Sequence, residues 1–255
     1  MIDDLIVDEE WEDEAEESDP LAPFFAEALI TDVVGEVKSG KEGTVYCCRA
    51  APSTGYSLVA AKVYRPRHQR NFKNDAMYRE GVVILKGRDQ RAVKRKSDWG
   101  REFEFGSWLA HEYEVLTQLW EAGADVPRPI RLAGNALLME YIGDESGAAA
   151  SLQGVRLAES EVRPLYERIL GNIELLLRLN WVHGDLSPYN ILYHGGRVTL
   201  IDFPQAVDPR ANRNALDFLT RDLQNVYRYF ERMGVRSNPE RMAQHLWGRF
   251  LRAEM

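Results

Sequence analysis

A stretch late in the chain, WVHGDLSPYNILYHGGRVTLIDFPQAV, gathers oxygen- and nitrogen-bearing side chains at a spacing that suits phosphoryl transfer. His183, Asp185 and Asn190 fit H-x-D-x-x-x-x-N, and Asp202 follows in LIDF after a two-strand hairpin turning on His194-Gly195-Gly196. Such a transfer needs a carboxylate that orients an attacking hydroxyl and accepts its proton. It also needs a carboxylate and an amide oxygen to hold the Mg2+ that neutralises the phosphates. On that chemistry Asp185 is the base, Asn190 and Asp202 are metal ligands, and His183 buttresses the loop rather than titrating. An isolated HGD or IDF is commonplace at turns and strand ends; the four positions together, in this order, carry the reading.

The partners of these groups lie upstream. Lys62, in VAAKVY, sits inside an apolar strand, where a lysine is costly unless it has a partner or its head reaches solvent. Read functionally, it is a phosphate-binding lysine held by a glutamate from a following helix. In SWLAHEYEVLTQLWEAG, apolar Trp108, Leu109, Val115, Leu116, Leu119 and Trp120 recur at helical spacing and Gly123 stands as the stop. Glu112 and Glu114 are the candidates there, Glu112 being preferred. Before the lysine, VVGEV, TVYCC and SLVAAKVY read as antiparallel strands joined by turns. The turn Ser39-Gly40-Lys41-Glu42-Gly43 matters because glycines let backbone N–H groups approach phosphate oxygens. Gly35 to Lys41 also fits GxxxxGK, but Glu42 stands where that loop needs a Ser or Thr and a strand follows, so a P-loop is rejected. Aligned on GxGxxGxV, Gly40, Gly43 and Val45 match while Lys38 replaces the first glycine. Downstream, ALLMEYIG reads as a strand, GDESGAAAS as a linker or hinge, and about Glu159 to Leu179 as an amphipathic helix.

The chain has 255 residues, 45% of them hydrophobic, and a net charge of −8. No run approaches the roughly 20 apolar residues of a membrane span. The acidic start is unlike a targeting peptide, which implies a cytoplasmic protein. Cys47 and Cys48 are neighbours, and neither a disulfide nor a zinc spacing is present. Residues 1–28 hold 12 of the 40 acids and none of the 32 bases, so the remainder carries about +4. That tail is expected to be largely disordered, over roughly residues 1–20, as a solubilising segment or an autoinhibitory or partner-binding arm. Residues 62–101 contain 13 Lys/Arg against 4 acids, either a solvated helix face or a surface for a phosphate-rich partner such as RNA. Residues 65–100 are expected to be partly ordered.

The segments SGKEGTVY, AAKVY, EAGADVPRPI, LLMEYIG, HGDLSPYNIL, LIDFPQAVDPRA and FLTRDLQNV together resemble the RIO-type atypical serine/threonine protein kinases, over nearly all of residues 31–235. IDFPQAV stands where ordinary protein kinases have DFG, Ser187 where they usually carry lysine, and Gly184 where they carry the arginine of HRD. The resemblance implies an α+β, bilobal protein-kinase-like fold that lacks an activation loop and the peptide-docking subdomain. The small lobe is an antiparallel sheet with one helix, and the other lobe is mostly helical. The expected divisions are the acidic tail 1–28, the small lobe and hinge 29–143, and the large lobe 144–255. ATP and Mg2+ are implied, with Mn2+ as a substitute. Ser39, Gly40, Lys41, Glu42, Gly43 and Val45 would cover the phosphates, Lys62 with Glu112 would hold them, and Met139, Glu140, Tyr141 and Ile142 would line the adenine. Asp185, Lys62 and Asp202 are the expected catalytic residues. Family members serve in small-ribosomal-subunit maturation, and some behave as ATPases that phosphorylate the metal-binding aspartate, which here would be Asp202.

The acceptor is expected to be a protein, with ribosomal-subunit or RNA contact through residues 62–101, no membrane association and a monomeric state. Two rival readings are weighed. A small-molecule phosphotransferase of the aminoglycoside- or choline-kinase kind also uses HGDLxxxN, but only about fifty residues follow Asp202 to build its acceptor pocket. A nucleotide-gated scaffold with slow ATPase activity is the other.

Overall fold

The alternating, β-branched runs before Tyr64 form three antiparallel strands in the computed structural model, which describes residues 19–65 and 98–255. They are β1 (Ile30–Ser39), β2 (Gly43–Ala50) and β3 (Leu58–Tyr64). With β4 (Pro129–Ala133) and β5 (Ala136–Glu140) they make a five-stranded sheet in the order β1-β2-β3-β5-β4. The period of two divides β3 between two surroundings. Val59 and Ala61 join Ile30, Cys48 and Leu138 in one buried cluster, whereas Tyr64 and Leu137 face the opposite way and join the main core. Lys62 therefore enters the structure on the face turned toward the rest of the molecule.

The first cluster is covered by α1 (Ala22–Ala26), whose Phe24 is fully buried beside Leu21. Here the expected tail 1–28 is corrected: residues 19–28 belong to the small lobe, because removing a buried ring such as Phe24 from this cluster would cost about 3–5 kcal/mol. Among the described residues, α1 is a short helix of this lobe besides the long one expected. The tail's remainder and the basic residues 66–97 lie outside the described residues.

On the other face runs α2 (Asp98–Glu121), which buries Leu109, Val115, Leu116 and Leu119. The large lobe is built on α3 (Glu159–Arg178), α4 (Ala215–Glu231) and α5 (Pro239–Leu251), each with an apolar stripe at helical spacing. The expected linker or hinge carries short strands. Gly143–Asp144 and Gly147–Ala148 pair as β6 and β7, and Ala150–Ser151, β8, joins the hairpin of β9 (Ile191–His194) and β10 (Arg197–Leu200). The expected boundary at 143/144 thus cuts a strand. The hairpin turns on Gly195 and Gly196 at φ 55° and 78°, values that favour glycine. The two-lobed α+β arrangement is the expected one, and only residues 203–214 separate Asp202 from α4, too short a path for a long activation segment. No helix among the described residues is long and apolar enough to cross a membrane.

Candidate active site

Strand β3 pairs Lys62 with Val45 on β2 and with Leu137 on β5, which fixes where its ammonium emerges. Nζ donates to Glu112 Oε1 at 2.9 Å and to Asp202 Oδ1 at 2.7 Å, so one cation joins a helix of the small lobe to the strand end of the large one. Burial opposes the charge on Lys62, but Asp202 and Glu112 outweigh it and hold its pKa well above the ordinary lysine value. Breaking such a buried pair by deleting one member costs about 3–5 kcal/mol, since a charge is left unpaired. Glu112 is itself buried, and its second oxygen accepts from the Tyr64 hydroxyl at 2.6 Å. Glu114, the other candidate, is exposed and accepts instead from Gln118 at 3.1 Å.

The late loop is held from below. A bridge between Val182 and Val207 brackets it, and Gly184 turns it at φ 80°. Asp222, buried on α4, accepts from the N–H of Gly184 at 2.8 Å and of Leu186 at 2.9 Å. Arg221 donates to the Gly184 carbonyl, and Asn225 Nδ2 to the Leu186 carbonyl at 3.0 Å. His183 is buried with Nε2 3.2 Å from the Ile201 carbonyl and Nδ1 3.4 Å from the Asp185 N–H, which fits the neutral tautomer protonated at Nε2. Burial pushes its pKa down to about 4, so it braces the loop without titrating near neutrality.

Asp185 opens to solvent at the loop's crest; partial desolvation, then the charge of Asp202, raises its pKa. Asn190 Nδ2 donates to the Asp185 carbonyl at 2.9 Å. Asp202 holds a left-handed backbone, φ 73°, a conformation that costs a residue with a Cβ about 1–2 kcal/mol. Burial would raise its pKa, yet the adjacent Lys62 holds it below the ordinary carboxylate value. A magnesium ion fits the donor set. Asn190 and Asp202 offer oxygen donors, and among the described residues no group of three His, Cys, Asp or Glu gathers to enclose a metal alone. Mg2+ takes one or two protein carboxylates and completes its shell with water and phosphate.

The glycine turn has a split explanation. A Cβ on Gly43 would lie 2.2 Å from the Val63 carbonyl oxygen, so sheet packing excludes a side chain there, whereas at Gly40 a Cβ would make only ordinary contact. Ser39 Oγ lies 2.9 Å from Thr44 Oγ1 and accepts from Arg65 at 2.9 Å, so it braces the turn. Lys41 is exposed and Glu42 half-buried, and the Glu42 carbonyl accepts from Arg65 N at 2.9 Å. Val45 is half-buried beneath the turn. Met139, Tyr141 and Ile142 are half-buried along the segment joining the lobes, but the Glu140 carboxylate turns away to accept from Arg128 N at 3.1 Å. A cavity of about 320 Å³ opens beside this segment, lined by Val37, Cys47, Tyr141 and Asp144 among others.

Sequence reading assigned no role to Tyr64, Asp222 or His111. His111 Nε2 lies 3.0 Å from the Ala206 carbonyl, tying α2 to the segment after Asp202. For Asp222 one signal existed: a carboxylate within the apolar stripe Phe218, Leu219, Leu223 and Val226.

The chain matches the RIO domain family model over residues 44–243. It is 32% identical over 193 residues to the RIO-type serine/threonine-protein kinase Rio1 of Thermoplasma acidophilum, covering 76% of this chain and 95% of that protein. It is 31% identical over 222 residues to the human serine/threonine-protein kinase RIO1, covering 84% of this chain and 36% of that protein, so it spans about a third of the human relative's length. Among solved structures, the Rio2 kinase–ADP/Mg2+–phosphoaspartate complex of Chaetomium thermophilum superposes with a TM-score of 0.61 at 19% identity, covering 92% of this chain and 69% of the other. That last likeness is one of fold.

Proposed function

The chain belongs to the RIO family, and on that premise we propose that it is an ATP- and Mg2+-dependent serine/threonine kinase that transfers the γ-phosphoryl group to a protein hydroxyl. The observation that carries the reading is Lys62 bridging Glu112 and Asp202, residues 50 and 140 positions away along the chain. Lys62 and the N–H groups of the Gly40–Gly43 turn bind the phosphates; Val45, Met139, Tyr141 and Ile142 enclose the base. Glu112 keeps the Lys62 ammonium aimed into the cleft. Asp185 orients the acceptor hydroxyl and takes its proton, a role that its raised pKa and open position suit. Asn190 and Asp202 would hold Mg2+, with Mn2+ as a substitute; the ion supplies positive charge against the triphosphate.

Self-transfer to Asp202, giving an ATPase, is the second reading. The observation favouring it is that the left-handed backbone presents the Asp202 carboxylate directly to the phosphate-binding lysine. We place the protein in the cytoplasm as a monomer. With Lys62 taken up in the cleft, the other twelve bases of residues 62–101 are the reason to propose a ribosomal subunit or RNA as its partner.

Asp185→Ala and Lys62→Ala should each lower transfer from ATP by about 10²–10⁴-fold. Mass spectrometry of the protein after incubation with Mg-ATP reports the modified residue as well. Undiminished autophosphorylation by Asp185→Ala would refute its role as base, and phosphate appearing on Asp202 alone would select the second reading.

A further inference from the structure

One lysine of the cleft roof remains without a role. Regular pairing along β1 and β2 would carry Glu36 opposite Tyr46 and Val37 opposite Val45. Instead the register slips between Glu36 and Lys38, so that Lys38 stands opposite Val45. A bulge of this kind moves the following side chain to the other face of the sheet. Val45 in turn stands opposite Lys62. Residues directly opposite share a face, so Lys38, Val45 and Lys62 lie in one row across three strands on the cleft side. At two strand spacings Lys38 is about 10 Å from Lys62 along that row.

The charge in the cleft gives the row a meaning. Glu112, Asp185 and Asp202 bring three carboxylates, and the Lys62 ammonium is shared between two of them. A triphosphate adds more negative charge. Lys38 is exposed and makes no ion pair among the described residues.

We infer that Lys38 is a second phosphate-binding cation, turned into the cleft by the β1 bulge to meet the terminal phosphate of the nucleotide. The inference rests on the transfer reaction proposed above. Charge developing on the transferred phosphoryl group is where a positioned cation contributes most.

The test compares wild type, Lys38→Met and Lys38→Arg by steady-state phosphate transfer from Mg-ATP and by calorimetric titration with Mg-ADP. Lys38→Met keeps the length and removes the charge. Its kcat should fall about 10–100-fold while its affinity for ADP, which lacks the terminal phosphate, stays within about twofold and Lys38→Arg recovers most of the rate. A Lys38→Met enzyme with wild-type kcat, or one that loses ADP affinity as steeply as rate, overturns the inference. Failure of the underlying reaction looks different: the wild-type protein itself would then transfer no phosphate.

Discussion

The Tyr64 hydroxyl donates to Glu112 Oε2 at 2.6 Å while Lys62 occupies Oε1, so both oxygens of one buried carboxylate are engaged from the same strand. Two residues apart on β3, Lys62 and Tyr64 point the same way, and the ammonium also lies 4.7 Å from the centre of the Tyr64 ring. Burial and then Glu112 push the Tyr64 pKa well above the ordinary phenol value, so the hydroxyl remains a donor at any working pH.

Tyr64→Phe should therefore leave one Glu112 oxygen buried without this donor. The expected cost is about 1–3 kcal/mol in urea unfolding, with kcat falling severalfold as Lys62 loses its fixed partner. Wild-type stability and rate together in the variant would remove Tyr64 from the site.

The two glycines of the turn should behave differently. Gly43→Ala forces a Cβ toward the Val63 carbonyl and should cost about 1–3 kcal/mol of stability. Gly40→Ala should melt like wild type and show its effect only in a raised KM for ATP, as the backbone is kept farther from phosphate. Equal losses of stability in both would contradict the packing explanation.

Two buried groups beneath the loop give opposite pH dependence. His183 takes up its proton near pH 4 when folded and near 6.5 when unfolded, so the unfolded state binds more protons in that window and its contribution to stability grows as pH rises through it. Burial raises the Asp222 pKa from 3.8 to about 7, against the pull of its two N–H donors; its contribution is complete below 3.8 and is lost as pH rises toward 7. Asp222→Asn leaves the first slope alone. Its stability should climb between pH 4 and 6.5 by at most about 1.4 kcal/mol per unit more than wild type does. Urea unfolding at both ends of the window measures this, and parallel profiles for the two proteins would count against it.

Chelation should separate catalysis from folding. If, as proposed, Asn190 and Asp202 are the ion's ligands among the described residues, EDTA should abolish transfer yet leave the melting temperature of the nucleotide-free protein unchanged. Mg-ATP at a hundred times its Kd should then add about 2.7 kcal/mol. A large fall in melting temperature on chelation alone would mean that the metal is structural.

The strands, the hairpin and most of α2 were legible because their patterns are local: alternation around Lys62, helical spacing from Trp108 to Trp120, two glycines after His194. Lys62, Asp185, Asn190 and Asp202 were singled out by residue type and spacing, and the structure brings Lys62 and Asp202 together. What escaped depends on distant partners. Asp222 serves N–H groups 36 and 38 positions earlier, and Glu112 is distinguished from Glu114 only by which one meets β3. Phe24 was hidden by the acids averaged around it, and β6 to β8 are two-residue strands of mostly small side chains, too short to show a period.

Adjacent residues on α2 face opposite halves of the molecule: Glu112 grips the roof through Lys62 and Tyr64, and His111 grips the floor at Ala206. A helix bolted on both sides cannot swing outward without breaking contacts in both lobes together. On the proposed kinase reading, the Lys62–Glu112 arm of the machinery stands cocked before any fuel arrives.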